Sequence, residues 1–402
     1  MPGLIPRGCS VDLRAMSRVL HWAPVALGIC FLLSLAYLQR ERALKGQNDF
    51  VQLYTSGKLA GTPGLYSRPA NLELIQSILG FTMDGVECTR PPFYAAILKP
   101  LAALPYRIAY VIFSLATFSS FLWFVVRFSK ECSVLPFFAA ISVPLLSAIC
   151  DGQDTPLLPA ILGVSILLTR KGKDFAAGMI LSLCAIKFHL FLFLPVMLVL
   201  TKRWRTLGGA ACGTSVLTAL GILICGVDSI AQYVKGVIWS DVSGMIARQR
   251  LSAGEDQWLN STATLKPNIH GFVANVHGDA RLEFLLIAAV LVAFCWLTQK
   301  TTNYELLFGA SLICGLLVSF HSGIVDDVVL FPVFVLVLAH CDYVPARSLL
   351  AVLLSPIPYF LFLARGPYAT VLPVMLLTLV GLLCLGQIAA QRRILYRSPA
   401  ME

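Results

Sequence analysis

The chain has 402 residues, 57% of them hydrophobic and only 13% charged, with a mean hydropathy of +0.79 and a formal net charge of +10. Soluble domains carry about 25% charged residues, so the composition excludes an ordinary soluble domain and indicates an integral membrane protein. The basic excess follows from loop bias rather than nucleic-acid binding, and the 12 cysteines form no CxxC pair, so neither a zinc site nor a disulfide framework is indicated.

A helix needs about 20 apolar residues to cross a bilayer. The first apolar run, 21–39, follows Arg7, Arg14 and Arg18 and has no small-residue cleavage pattern behind it, which reads as a retained signal-anchor and first span. Further spans are expected over 105–127, 133–150, 155–169, 174–186, 188–201, 206–226, 282–299, 303–320, 327–341, 347–364 and 369–389. The stretch 174–201 reads either as one tilted helix or as two short ones broken near Lys187, so the total is 11 or 12. The expected fold class is an all-α integral membrane protein, a multi-span helical bundle forming one polytopic domain over 1–402. Two long loops, 40–104 and 227–281, interrupt it, with short amphipathic stretches such as Phe50–Leu59 and Ile230–Trp239.

Lysine and arginine favour short cytoplasmic loops. With the N-terminus in the cytoplasm and a break near Lys187, one side collects Arg127 and Lys130, then Arg170, Lys171 and Lys173, then Lys202, Arg203 and Arg205, then Arg392 and Arg393. The short loops of the other side hold only Lys187 and Arg365. This bias predicts cytoplasmic termini, favours the break, and turns both long loops outward. Those loops are themselves basic, with Arg90 and Lys99 in the first and Arg250 and Lys266 in the second. The plain reading is a solvated surface; the functional one is a cationic face for an anionic lipid or phosphate.

Asp49, in Gln47-Asn48-Asp49-Phe50, stands just beyond the first span. An acid at the membrane face of a multi-span protein is a functional candidate; its structural alternative is an N-cap for a helix starting at Phe50. Further along come Leu59-Ala60-Gly61-Thr62-Pro63-Gly64-Leu65-Tyr66, Arg90-Pro91-Pro92-Phe93 running to Pro100-Leu101-Ala102, Gly152-Gln153, Lys187 with the later Lys202-Arg203-Trp204-Arg205, and Ser319-Phe320-His321 with Asp326-Asp327. In this order and spacing, these segments together with Asn48-Asp49-Phe50 resemble glycosyltransferase family 87. That family comprises integral membrane enzymes of the GT-C fold that use polyprenyl phosphate sugars, with mannosyltransferases the best known. The chain departs from the pattern in having Arg90 where tyrosine is usual and His189 after Lys187 where proline is common, and Asn268-Ile269-His270 matches an Asn-Gln-Ser element only loosely.

The resemblance implies transfer of a hexose, most often mannose, from a polyprenyl phosphate to a lipid or glycan hydroxyl, with inversion, at the extracytoplasmic face of a bacterial plasma membrane. A hydroxyl is a poor nucleophile and calls for a positioned base, for which Asp49 is the candidate. The leaving phosphate calls for cations or hydrogen-bond donors, for which His321, Lys187, Arg90 and Arg250 are candidates. Each has a plainer reading: a neutral histidine against backbone, a lysine reaching for the interface, solvated loop arginines. Asn48, Gln153, Asp327 and Asn268 are candidate sugar or acceptor contacts, against turn chemistry at Gly152 and Asp154 and a helix cap at Asp326-Asp327. No metal site is indicated, and the only cofactor-like molecule is the polyprenyl phosphate donor; membrane lipids are the other partner. The competing function is a lipid or lipid-linked sugar transporter. That would call for polar, broken mid-membrane helices and related halves, whereas the mid-span positions are almost wholly apolar.

Overall fold

The computed structural model describes residues 45–81, 88–235, 263–319 and 321–397, with scattered residues between 25 and 41. Most of the first expected span, and Arg250 with its surroundings at 236–262, lie outside the described residues. The described chain is helical throughout, with no strand. Helix α1 (Phe50–Leu59), α2 (Arg68–Leu79) and α3 (Pro92–Ala102) build the first long loop, and α4 (Tyr106–Phe128) is the first described helix long enough to cross a membrane.

Among the described residues, five helical runs are long and apolar enough to cross, namely Tyr106–Phe128, Asp174–Phe191, Trp204–Cys225, Ala280–Lys300 and Gly366–Arg392, or six with a pair bent by 61° at Val344–Leu354 and Ile357–Ala364. Of the other runs read from the sequence, 21–39 lies mostly outside the described residues, Leu157–Arg170 and Tyr304–Val318 form shorter apolar helices, and several are divided. Prolines do much of the dividing. The run 133–150 becomes Leu135–Ala140 and Val143–Cys150, each with proline in its first turn, the second capped by Ser142, whose side chain accepts from the Leu145 amide. The bent pair is separated by Ser355, extended as residues before proline are.

The stretch 174–201 is broken where the charge bias placed the break. Asp174–Leu181 leads into a tighter 3-10 run, Ser182–Phe191, in which Lys187 leaves helical geometry (φ −135°, ψ 54°), and Phe193–Leu200 follows. Asp174 and Arg203 pair at 3.5 Å, so the chain goes out and returns. The next helix, Trp204–Cys225, lies directly on Asp174–Leu181: a Cβ on Gly209 would sit 2.0 Å from the Phe175 carbonyl oxygen, and one on Gly178 would sit 1.9 Å from that of Thr206. Small residues let membrane helices approach this closely.

Tyr304–Val318 and Leu330–His340 occupy the centre, with nearly every side chain buried. Trp204–Cys225 and Ala280–Lys300 bury one face and expose Val216, Leu223, Leu285 and Val292, the pattern of helices that face lipid. Polar side chains sort to the two ends. The Phe50 amide bonds to the Asp151 carbonyl, Arg90 to Asp154, Lys187 to Asp326 and Asn268 to Ser319, which gathers the first loop, the 151–154 turn, the Lys187 break and the 319–327 turn at one end. Arg170 meets Glu131 and Glu305, and Glu305 meets His340, at the other.

Candidate active site

The site begins at a tight turn. Val143–Cys150 ends at Asp151, and Gly152 adopts φ +62°, where a side chain is strained. A Cβ there would also sit 2.5 Å from Phe50 Cβ and 3.0 Å from the Tyr110 ring. The turn is thus packed against the start of α1, and the Asp151 carbonyl accepts from the Phe50 amide at 3.1 Å. Phe50 is buried among Tyr54, Tyr106, Tyr110 and Phe113, while Asp49 beside it is exposed. Asp49 makes no side-chain cap, so the N-cap alternative does not hold. Its Oδ2 instead accepts from Gln153 Nε2.

Behind Gln153 lies a buried charge cluster. Arg90 Nη2 donates to Gln153 Oε1 at 3.2 Å and to Asp154 Oδ1 at 3.0 Å, and Arg90 Nε stands 2.9 Å from Asp154 Oδ2, a two-pronged pairing. Lys187 Nζ donates to Gln153 Oε1 at 3.2 Å, Thr155 Oγ1 at 3.0 Å and Asp326 Oδ1 at 2.6 Å. Asp326 Oδ2 accepts from the Gly323 amide at 2.8 Å. Arg90, Lys187, Asp154 and Asp326 are 7%, 4%, 0% and 2% exposed, so the paired charges are withdrawn from water. Burial opposes the charge on Arg90, but carboxylates, Asp154 foremost, hold its pKa above the ordinary value. Burial likewise opposes the charge on Asp326, and Lys187 with the Gly323 amide holds its carboxyl below the usual range.

A histidine edge adjoins the cluster. His189 Nδ1 lies 2.9 Å from Ser319 Oγ, and the His189 and His321 rings meet edge-on with centroids 6.1 Å apart. His321 is half-buried; burial, with Lys266 and Arg90 adding to it, pushes its pKa down to about 3, so it is neutral near pH 7. Asn268 is fully buried: its Oδ1 caps Ile269–Asn275 through the Gly271 amide, and its Nδ2 donates to the Ser319 carbonyl and to Ser322 Oγ. It braces the second loop against the 319–323 turn. Asn48 is buried and accepts from the Tyr106 hydroxyl at 3.1 Å. Asp327, 1% exposed, lies with Tyr359, whereas Asp326 beside it takes Lys187. Both acids lie in the 3-10 turn Ile324–Val329, where successive residues diverge by about 120°, so they serve different surroundings.

The structure therefore brings Asp49, Gln153, Arg90, Lys187 and His321 to one end and gives Asn48, Asn268 and Asp327 bracing or core positions. Asp154, Thr155, Asp326, His189 and Ser319 also belong to the site and were not among the catalytic, phosphate or sugar candidates read from the sequence. Their signal was present in part, since Ser319 and Asp326 stand in the segments that resemble the family, Asp154 ends the Asp151-Gly152-Gln153-Asp154 turn, and His189 is the departure noted above. Among the described residues, no three His, Cys, Asp or Glu side chains gather as a metal-ligand set. A groove of about 260 Å³ runs along the segments on either side of the Lys187 break, lined by Ala185, Phe188, Phe191, Leu194, Leu198 and Ala210, among others.

The family model described as glycosyltransferase family 87 matches residues 89–323. That segment contains Arg90, Gln153, Lys187, Asn268 and His321, and it begins after Asp49. No curated protein and no solved structure gives a significant match.

Proposed function

Since the chain belongs to glycosyltransferase family 87, we propose that this multi-pass membrane glycosyltransferase moves mannose from a polyprenyl phosphate to a lipid or glycan hydroxyl, with inversion, at the extracytoplasmic face. The observation that carries this reading is Asp49. It is an exposed carboxylate outside the matched segment, tied by its side chain to Gln153 inside that segment and backed by a buried cluster of paired charges. A base needs this combination of access and fixed geometry.

In the proposed reaction the acceptor hydroxyl gives its proton to Asp49 as its oxygen bonds to the anomeric carbon. The bond from that carbon to the phosphate oxygen breaks, and the electron pair leaves with the phosphate. Single displacement from the opposite face inverts the centre. His321, neutral and half-buried, can donate a ring N–H to the phosphate, and the nearby Lys266 adds positive charge. The apolar groove beside the Lys187 break suits an isoprenoid tail. The charge bias of the short loops supports cytoplasmic termini and an outward site.

The test is transfer from synthetic polyprenyl phosphate mannose to lipid and glycan acceptors by wild type, Asp49→Ala and Asp49→Asn, each confirmed as folded. Loss of a general base lowers turnover by about 10²–10⁴-fold, and that loss is expected in both variants. Full transfer by both would remove Asp49 from the role. No transfer by folded wild type from this donor would overturn the donor assignment.

A further inference from the structure

Gln153 lies where three charged side chains meet. Its Oε1 accepts from Arg90 and Lys187, each at 3.2 Å, and its Nε2 donates to Asp49 Oδ2. A glutamine amide has an acceptor at one end and donors at the other, and neither arginine nor lysine can accept. Two cations aimed at one end require the oxygen there, which turns the NH2 group toward Asp49. The reversed amide would set N–H against two cations and oxygen against a carboxylate. The orientation is therefore fixed by charge.

The cations are themselves immobilised, Arg90 by Asp154 and Lys187 by Asp326 and Thr155. The backbone is held as well. The Gln153 amide donates to the Ala148 carbonyl at 2.8 Å, and Gly152 packs on Phe50, the residue after Asp49. One turn thus sets both the side-chain and the main-chain register between Gln153 and Asp49.

We propose, on the reading of Asp49 as the base, that Gln153 is a positioning residue for it. The amide clamps Oδ2 and leaves Oδ1, which has no described partner, to take the acceptor proton. Arg90 and Lys187 then act on the reaction through Gln153 and do not need to touch the donor phosphate. This gives Gln153 a role different from the sugar contact expected from sequence, since its oxygen is fully engaged by protein donors.

Gln153→Glu and Gln153→Met in the full-length protein test the proposal. Gln153→Glu keeps an oxygen for Arg90 and Lys187 and removes the N–H; Gln153→Met removes both without adding charge. Misplacing a reacting group by about 1 Å costs about 10²-fold, and a fall of that order in kcat with KM nearly unchanged is expected for both. Gln153→Glu keeps the contacts to Arg90 and Lys187 but sets a second carboxylate oxygen against Asp49 Oδ2, so its thermal midpoint should fall somewhat, and kcat is compared on protein confirmed as folded. Wild-type kcat in Gln153→Glu would overturn the proposal, because a residue needed only to bridge the cations would be replaced well by a carboxylate. Should Gln153→Met fail to fold, Gln153→Glu decides alone. If Asp49→Asn retains full transfer, the reading of Asp49 fails and this proposal falls with it. An inactive Asp49→Asn beside a fully active Gln153→Glu sinks the positioning role alone.

Discussion

At one end of the bundle Arg90, Lys187, Asp154 and Asp326 are all buried and meet across four separate segments. At the other end Arg170 pairs with Glu305 through two contacts of 2.7 Å and with Glu131 at 2.8 Å, and His340 adds a contact of 2.9 Å to Glu305. Those side chains are 16–30% exposed. Both ends join helices by charge, but water reaches only one of the networks. A partly solvated ion pair is worth about 0–1 kcal/mol. Removing one partner from a buried pair strands the other and costs about 3–5 kcal/mol. The buried network is thus weak as glue and strong as a constraint, which suits the role proposed for Asp49.

The largest effect should come from unbalancing the buried cluster. Lys187→Met is expected to lower unfolding stability by about 3–5 kcal/mol, and Lys187→Met with Asp326→Asn to recover part of that loss. Denaturant titration in detergent checks both. A loss below about 1 kcal/mol would mean that water reaches this end too.

Gly152→Ala should come next. A left-handed non-glycine residue costs about 1–2 kcal/mol, and the close approach to Phe50 adds to it. Because the clash acts at the residue after Asp49, turnover should fall more than stability does. Equal losses would show that the turn is only a brace.

The pH response separates the ends in another way. The folded pKa of His321, about 3, lies below its ordinary value of about 6.5. The unfolded chain then binds more protons between those values, so stability should decline as pH falls below about 6.5. Asp326, depressed in the fold, adds a loss at lower pH as it becomes protonated. Because His189 adjoins His321 and can titrate in the same window, His321→Asn should make the upper part of the decline shallower in a plot of thermal midpoint against pH, and an unchanged curve would refute it. Smallest of all, Glu305→Gln should cost about 1 kcal/mol or less and leave sugar transfer intact, measured by the same two assays.

Much of the fold was legible in the sequence because apolar runs, prolines and loop charge act locally. The break near Lys187 followed from charge bias before any contact was known, and the Asp151–Asp154 turn followed from turn chemistry. The points at which apolar runs divide did not follow. A hydropathy run does not show where a proline such as Pro144 or Pro356 will divide it. The choice between Asp326 and Asp327 was equally hidden, since it depends on the rotational phase of a short 3-10 turn, Ile324–Val329, against its neighbours. Asn268 read as a ligand contact because a polar residue in a long loop carries no mark of the cap it makes.

The sequence by itself determined the membrane class, the helical character and the candidacy of Asp49, all of which follow from composition and short-range pattern. Only the tertiary structure decided that Arg90 and Lys187 are spent on Asp154 and Asp326, and that both reach Asp49 through one amide. Those pairings join residues 64 and 139 positions apart. Within a segment, a charged residue shows its sign but not its partner; the partner is chosen by which helices pack, and by the cost of leaving a buried charge alone.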